Sequence, residues 1–121
     1  MILVDTSVWI DHLRVARPAL QQLLEDGRVH CHPFVIGELA CGHLKRRTDF
    51  IADLCQLPSV EPADHDEAMH LLEARKLAGR GISWVGVHLL ASAKVSHAEL
   101  WTLDQRLAAV ARELHVAADV R

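Results

Sequence analysis

Three aliphatic residues, Ile2, Leu3 and Val4, run without a polar interruption into Asp5. A strand that is apolar on both faces is stable only between two covering layers, which is the situation of a parallel sheet with helices on each side. The chain is long enough to build one such unit. Its 121 residues make one domain, 1–121, and with 50% hydrophobic residues it can bury a core without disulfides or a structural metal. Extended disorder is excluded. Three cysteines, at 31, 41 and 55, do not pair into a disulfide framework, which suits a reducing compartment. No run approaches the ~20 apolar residues of a membrane span, and no positive stretch precedes the first apolar one, so a soluble, cytoplasmic protein is expected. The charge is mildly acidic, −3 from 13 Lys and Arg against 16 Asp and Glu. By itself that argues against a nucleic-acid binder, whose usual footprint is a strongly basic domain.

Short extended segments alternate with helical ones along the rest of the chain. Helices are expected over 7–14 and over 18–25, the second opening on Pro18 and ending near Gly27, with a strand over 29–32. Pro33 starts a helix to about Cys41, another covers 48–56, and Ser59-Val60 is a brief extended piece. Asp64 and Glu67 form a capping box for a helix that Gly79 is placed to stop. Helix is expected again over 83–96, strand over 100–103, helix over 104–114, and a last edge strand at Val116-Ala117. The pattern is α/β, with short parallel strands covered on both sides.

Ligand sites of such sheets lie beyond the carboxyl ends of the strands. Asp5 follows the first strand and Asp104 the segment Leu100-Trp101-Thr102-Leu103. Each also reads as a helix N-cap, because Asp accepts bonds from the first free N–H groups of a helix. Glu38 is a third candidate. On a helical wheel with Val35 at 0°, Leu39 falls at about 40°, Phe34 at about 260° and Glu38 at about 300°, inside the apolar arc. An acid there has to be paired, protonated or bound to a cation; the alternatives are a buried ion pair or a narrower arc. Three carboxylates at one sheet edge repel unless a cation lies among them, and oxygen-only ligands suit Mg2+ or Mn2+. Such an ion binds phosphate oxygens and activates water, which points to phosphodiester hydrolysis.

Four blocks in order, MILVDTSVWIDHL, FVIGELACG, GISWVGVHLLASA and LWTLDQRLAAVA, resemble a PIN-domain ribonuclease, and more narrowly the VapC-type toxins of bacterial toxin-antitoxin pairs. The resemblance spans the chain. It implies a three-layer α/β/α PIN domain with a short-stranded parallel sheet, and a cluster of four acids holding one or two Mg2+ or Mn2+ ions. It further implies an endoribonuclease acting on tRNA or rRNA and leaving a 3′-hydroxyl and a 5′-phosphate, a homodimer, and a VapB-type antitoxin as partner. The first acid of the family pattern falls on Asp5, the second on Glu38 and the fourth on Asp104. The third falls on Gly86.

That departure puts the metal site and the activity in question. Position 86 faces inward on its helix, and with Ser83 as N-cap it is N3, where an acid is normally favoured. Glycine there costs up to roughly 1 kcal/mol relative to Ala. A close approach that needs glycine, a natural degenerate, or a detoxifying change would each account for it, and the last is preferred because Asp becomes Gly by a single base change. An impaired nuclease is therefore expected, with a catalytically dead PIN domain acting as a binding module in an antitoxin complex as the alternative. A receiver-like signalling domain is a weaker reading, since the blocks do not supply its phosphoacceptor and later lysine.

The remaining polar residues have blander readings. Cys31, His32, Cys41 and His43 resemble ligand pairs, but an intervening helix separates them by about 13 Å, too far for zinc. The cysteines read as small buried hydrophobes, and Trp9, Trp84 and Trp101 as core. Thr6, Ser7 and Thr102 could steady the acids through their hydroxyls. Lys45, Arg46 and Arg47, with Arg75, Lys76 and Arg80, read as solvated faces by default; these groups and Arg106 are the candidates for phosphate contacts.

Overall fold

A computed structural model describes residues 1–120. Its centre is the apolar strand at the start of the chain, β1 (Ile2–Val4), all three residues of which are buried. Parallel partners lie on each side, β2 (Val29–His30) and β3 (Glu99–Trp101), giving the order β2-β1-β3. Ile2 and Leu3 pair with Val29 and His30, and Ile2, Leu3 and Val4 with Glu99, Leu100 and Trp101. Single parallel bridges extend the sheet outward, Cys31 to Ser59 and Leu100 to Ala117. The expected strands at 29–32 and 100–103 are thus present but shorter, while the extended piece at 59–60 and the expected edge strand at 116–117 contribute single bridges, at Ser59 and Ala117. The strand expected at 100–103 also starts one residue earlier, at Glu99.

Between the strands run α1 (Thr6–Arg14), α2 (Pro18–Glu25), α3 (Pro33–Ala40), α4 (Arg47–Gln56), α5 (His65–Ala74) and α6 (Trp84–Ser96), with α7 (Gln105–Glu113) after β3. The chain crosses from β1 to β2 in one direction and returns past β1 to β3 in the other. Right-handed crossovers in opposite directions place helices on both faces of the sheet, so the domain is a three-layer α/β/α sandwich. Leu3, Leu20, Leu39, Leu89, Leu90 and Leu100 are fully buried around it. Among the described residues no helix is long and apolar enough to cross a membrane.

The capping box of α5 is complete: Glu67 N–H donates to Asp64 Oδ1 (2.7 Å) and Asp64 N–H to Glu67 Oε1 (3.0 Å). The helix ends well before Gly79. Lys76 takes a left-handed φ of 54°, Leu77 N–H reaches back to Leu72 O (3.0 Å) and Lys76 N–H to Glu73 O (3.3 Å). This is a Schellman stop with lysine in the position usually held by glycine. Leu77 is 3% exposed, so its burial offsets the left-handed lysine. Cys31 is buried as expected, but Cys41 and Cys55 are exposed.

A histidine caps α3. His32, 1% exposed, accepts from Phe34 N–H at Nδ1 (2.9 Å). The proton of the neutral ring is therefore on Nε2, which lies 3.1 Å from Ser92 Oγ. Ser92 Oγ also accepts from Ala63 N–H (2.9 Å), tying the approach to α5 to α6. Burial, with nearby His88, pushes His32 down to about 4. Since the unfolded value is about 6.5, the neutral cap contributes fully above that pH and is lost as pH falls toward 4. The shift corresponds to about 3 kcal/mol. Urea midpoints should therefore fall between about pH 7 and pH 4.5 by more in the native chain than in His32→Asn, which keeps an acceptor but does not titrate; equal falls would remove His32 from the account.

Candidate active site

The crossovers diverge at the carboxyl ends of β1 and β3, so the crevice of this sheet opens there. Asp5 and Asp104 stand at this edge. The ladder ends with Asp5 N–H donating to Trp101 O (2.9 Å), which sets Asp5 beside the residue after β3, Thr102. Thr102 Oγ1 donates to Asp5 Oδ2 at 2.7 Å and accepts from Asp104 N–H at 3.1 Å. One hydroxyl thus spans the two acids. Ser7 Oγ donates to the same Asp5 oxygen (2.7 Å) and accepts from Leu103 N–H (3.0 Å), clamping the turn after β3 onto the start of α1.

Asp5 is 8% exposed and makes no side-chain cap bond to α1. Its carboxylate is committed to the two hydroxyls instead, both on Oδ2. Asp104 is a true cap as well as a candidate ligand: its Oδ1 accepts from Arg106 N–H (2.9 Å) and Leu107 N–H (3.1 Å). Each acid uses one oxygen internally. That leaves Asp5 Oδ1 and Asp104 Oδ2 outside these bonds.

Glu38 departs from its expected setting. It is exposed, because the buried stripe of α3 is narrow and consists of Val35 and Leu39. Phe34, at 39% exposure, lies on the open side with it. Glu38 Oε1 accepts from Thr6 Oγ1 at 2.7 Å, so the residue after Asp5 ties it to the same edge. The donors are all oxygen, the set that suits Mg2+ or Mn2+. Asp5, Glu38 and Asp104 are linked through hydroxyls, but they do not close into a group of three ligands around one point; no such group of His, Cys, Asp or Glu exists among the described residues.

Position 86, the third acidic position of the family pattern, is held by glycine. Gly86 is buried on α6, and its N–H donates to the Ser83 cap at 3.0 Å. A Cβ built there would lie 3.4 Å from Leu107 Cδ1, on the helix that Asp104 caps, and 2.8 Å from Ile82 Cγ2. The Cβ would therefore meet Ile82 first and the Leu107 side chain of α7 next. The first contact shows a cause for glycine that is steric: the Ile82 methyl occupies the space.

A family model described as PIN domain matches residues 2–113. The chain is a PIN-domain protein. Within that family it is of the VapC type: it is 50% identical to proteins named Ribonuclease VapC32 in two Mycobacterium tuberculosis strains, CDC 1551 / Oshkosh and H37Rv, covering 97% of this chain and 95% of each relative. The three-layer α/β/α fold is that of a PIN domain.

The basic candidates of this PIN domain have differing surroundings. Arg80 makes a two-pronged pair with Glu113 (2.6 and 2.8 Å) and Arg46 pairs with Asp49 (3.3 Å). The Arg80 pair holds the Glu113 carboxyl below its ordinary value. Arg106 lies over Gly81, where a Cβ would come 2.5 Å from its Nη1. Arg75 and Lys76 are exposed at the end of α5, and Lys45 before α4.

All three tryptophans read as core residues in the sequence. Trp9 and Trp101 are buried at 3% and 6% exposure, whereas Trp84, the first residue of α6, is 39% exposed. It packs on His88, centroids 4.5 Å apart, and His88 packs on Phe34 at 4.7 Å. His88 thus faces α3, away from the α7 side where position 86 points. The available signal was the four-residue spacing of Trp84 and His88, which puts both rings on one helix face.

Proposed function

We propose that this VapC-type chain is built as a Mg2+- or Mn2+-dependent endoribonuclease toxin, neutralised by a VapB-type antitoxin, and that Gly86 impairs its catalysis. The observation that carries this reading is the Asp5–Thr102–Asp104 link at the sheet edge. It is supported by 50% identity over nearly the whole chain to relatives named ribonucleases. Asp5 and Asp104 would hold the ion, with Glu38 completing the set or orienting water. When bound, the ion supplies an activated water and offsets charge on the phosphate. Thr102 and Ser7 fix the rotamer of Asp5, Thr6 fixes Glu38, and the amides of Arg106 and Leu107 hold Asp104 in place. Lys45, Arg75, Lys76 and Arg106 are candidates to meet the RNA backbone; Arg46 and Arg80 would first have to leave their carboxylates. A homodimer acting in the cytoplasm on tRNA or rRNA completes the proposal.

The second reading is a PIN domain that binds without cutting. The 2.8 Å approach of Ile82 Cγ2 to a Cβ at position 86 favours it, since the packing is adapted to glycine. Incubating the purified chain with tRNA and rRNA in Mg2+ and in chelator separates the two. Weak cleavage leaving 5′-phosphate ends, abolished by chelator, is expected from an impaired nuclease; intact RNA at high protein concentration would leave the binding module.

A further inference from the structure

The chain has few aromatic side chains, three Trp, two Phe and no Tyr. The two most exposed, Phe34 and Trp84 at 39% each, stand on either side of one histidine. His88 is 5% exposed, and its Nδ1 is buried without a partner. Tilted and edge-to-face contacts run from His32 through Phe34, His88 and Trp84 to His65. Rings locked this way lose little freedom on binding. Their position is as informative as their exposure. Phe34 lies one helical turn, about 6 Å, before Glu38 on α3, and Trp84 starts the helix that carries position 86. Phe34 thus shares a helix with Glu38, and Trp84 opens α6, whose far end leads into β3, so both rings lie at helix starts toward the carboxyl edge of the sheet.

We propose that Phe34 and Trp84, held apart by His88, form a stacking site for unpaired bases of an RNA strand whose backbone lies along Asp5, Glu38 and Asp104. The assignment rests on the ribonuclease reading above. Stacking on aromatic side chains is how proteins grip single-stranded RNA without reading its sequence. The surroundings suit a base better than a protein partner. Glu38 on the helix of Phe34 and His65 against Trp84 make the surroundings of the rings polar. The broader exposed apolar surface is elsewhere, at Ile10, Leu13 and Val15.

Trp84 is the only exposed tryptophan, so its fluorescence reports on this site without needing cleavage. Single-stranded oligoadenylate should quench the emission of the full chain saturably, and Trp84→Leu should abolish the quench. In a separate filter-binding assay, Phe34→Leu and Trp84→Leu, which keep apolar volume but lose the π face, should each weaken binding about tenfold. An abasic oligomer of the same length should bind all three proteins alike. If both variants bind oligoadenylate as the native chain does, the stacking site is wrong while the RNA reading stands. If the native chain binds neither oligomer, both fall. If RNA affinity is unchanged but sedimentation shows that the variants have lost a dimer, the rings belong to an interface between copies and the proposal is overturned.

Discussion

Gly86→Asp should raise metal-dependent RNA cleavage by at least about a hundredfold, because even the outer partners of a metal site are worth about 10- to 100-fold and in the proposed function this change restores a ligand. The new side chain would pack against α7: a Cβ at 86 comes within 3.4 Å of Leu107, on the helix capped by Asp104. Its place is favourable, since N3 of α6 lies where the helix dipole stabilises a negative charge. The obstacle is Ile82 Cγ2, 2.8 Å from that Cβ. Ile82→Ala removes the methyl, so Gly86→Asp/Ile82→Ala should cleave at least as well as Gly86→Asp. Gly86→Ala/Ile82→Ala, which adds the Cβ without the carboxylate, should gain nothing. Cleavage assays on labelled tRNA with Mg2+ and with chelator decide the matter. If neither aspartate variant exceeds the native chain, position 86 is not the third acid.

Local rules carried the reading where local chemistry decides the structure. The buried tripeptide before Asp5, the prolines that open α2 and α3, the Asp64–Glu67 box and the Ser83 and Asp104 caps all depend on neighbours within a turn, and each is where the residues put it. Tertiary choices were not legible in the same way. Glu38 is exposed because α3 buries only a two-residue stripe, and a wheel gives angles without saying how wide the covered arc is. The early stop of α5 depends on burying Leu77, which overrides the left-handed penalty at Lys76. Trp84 reads as core in the sequence, yet it opens its helix at the surface. The Asp5–Thr102 bond joins residues 97 apart in the chain; residue types marked both as candidates, but only the parallel register of β1 with β3 brings them together.

Asp5→Asn and Asp104→Asn should each weaken Mn2+ binding by at least about tenfold while leaving the fold intact. An asparagine keeps a carbonyl oxygen for the hydroxyls of Ser7 and Thr102 at position 5, and for the amides of Arg106 and Leu107 at position 104. Asn and Asp cap helices about equally well, so Asp104→Asn should stay within about 0.5 kcal/mol of the native chain. Asp104→Ala, which loses the cap as well, should cost about 1 kcal/mol. This separates the two roles of Asp104, as helix cap and as ligand. The decisive measurement is a Mn2+ titration followed by the electron paramagnetic resonance of the free ion, run on the native chain, Gly86→Asp/Ile82→Ala, Asp5→Asn and Asp104→Asn. Weak binding by the native chain, at least about tenfold tighter binding by the aspartate variant, and loss in both asparagine variants are expected; the same affinity in all four proteins would contradict a cation site at this sheet edge.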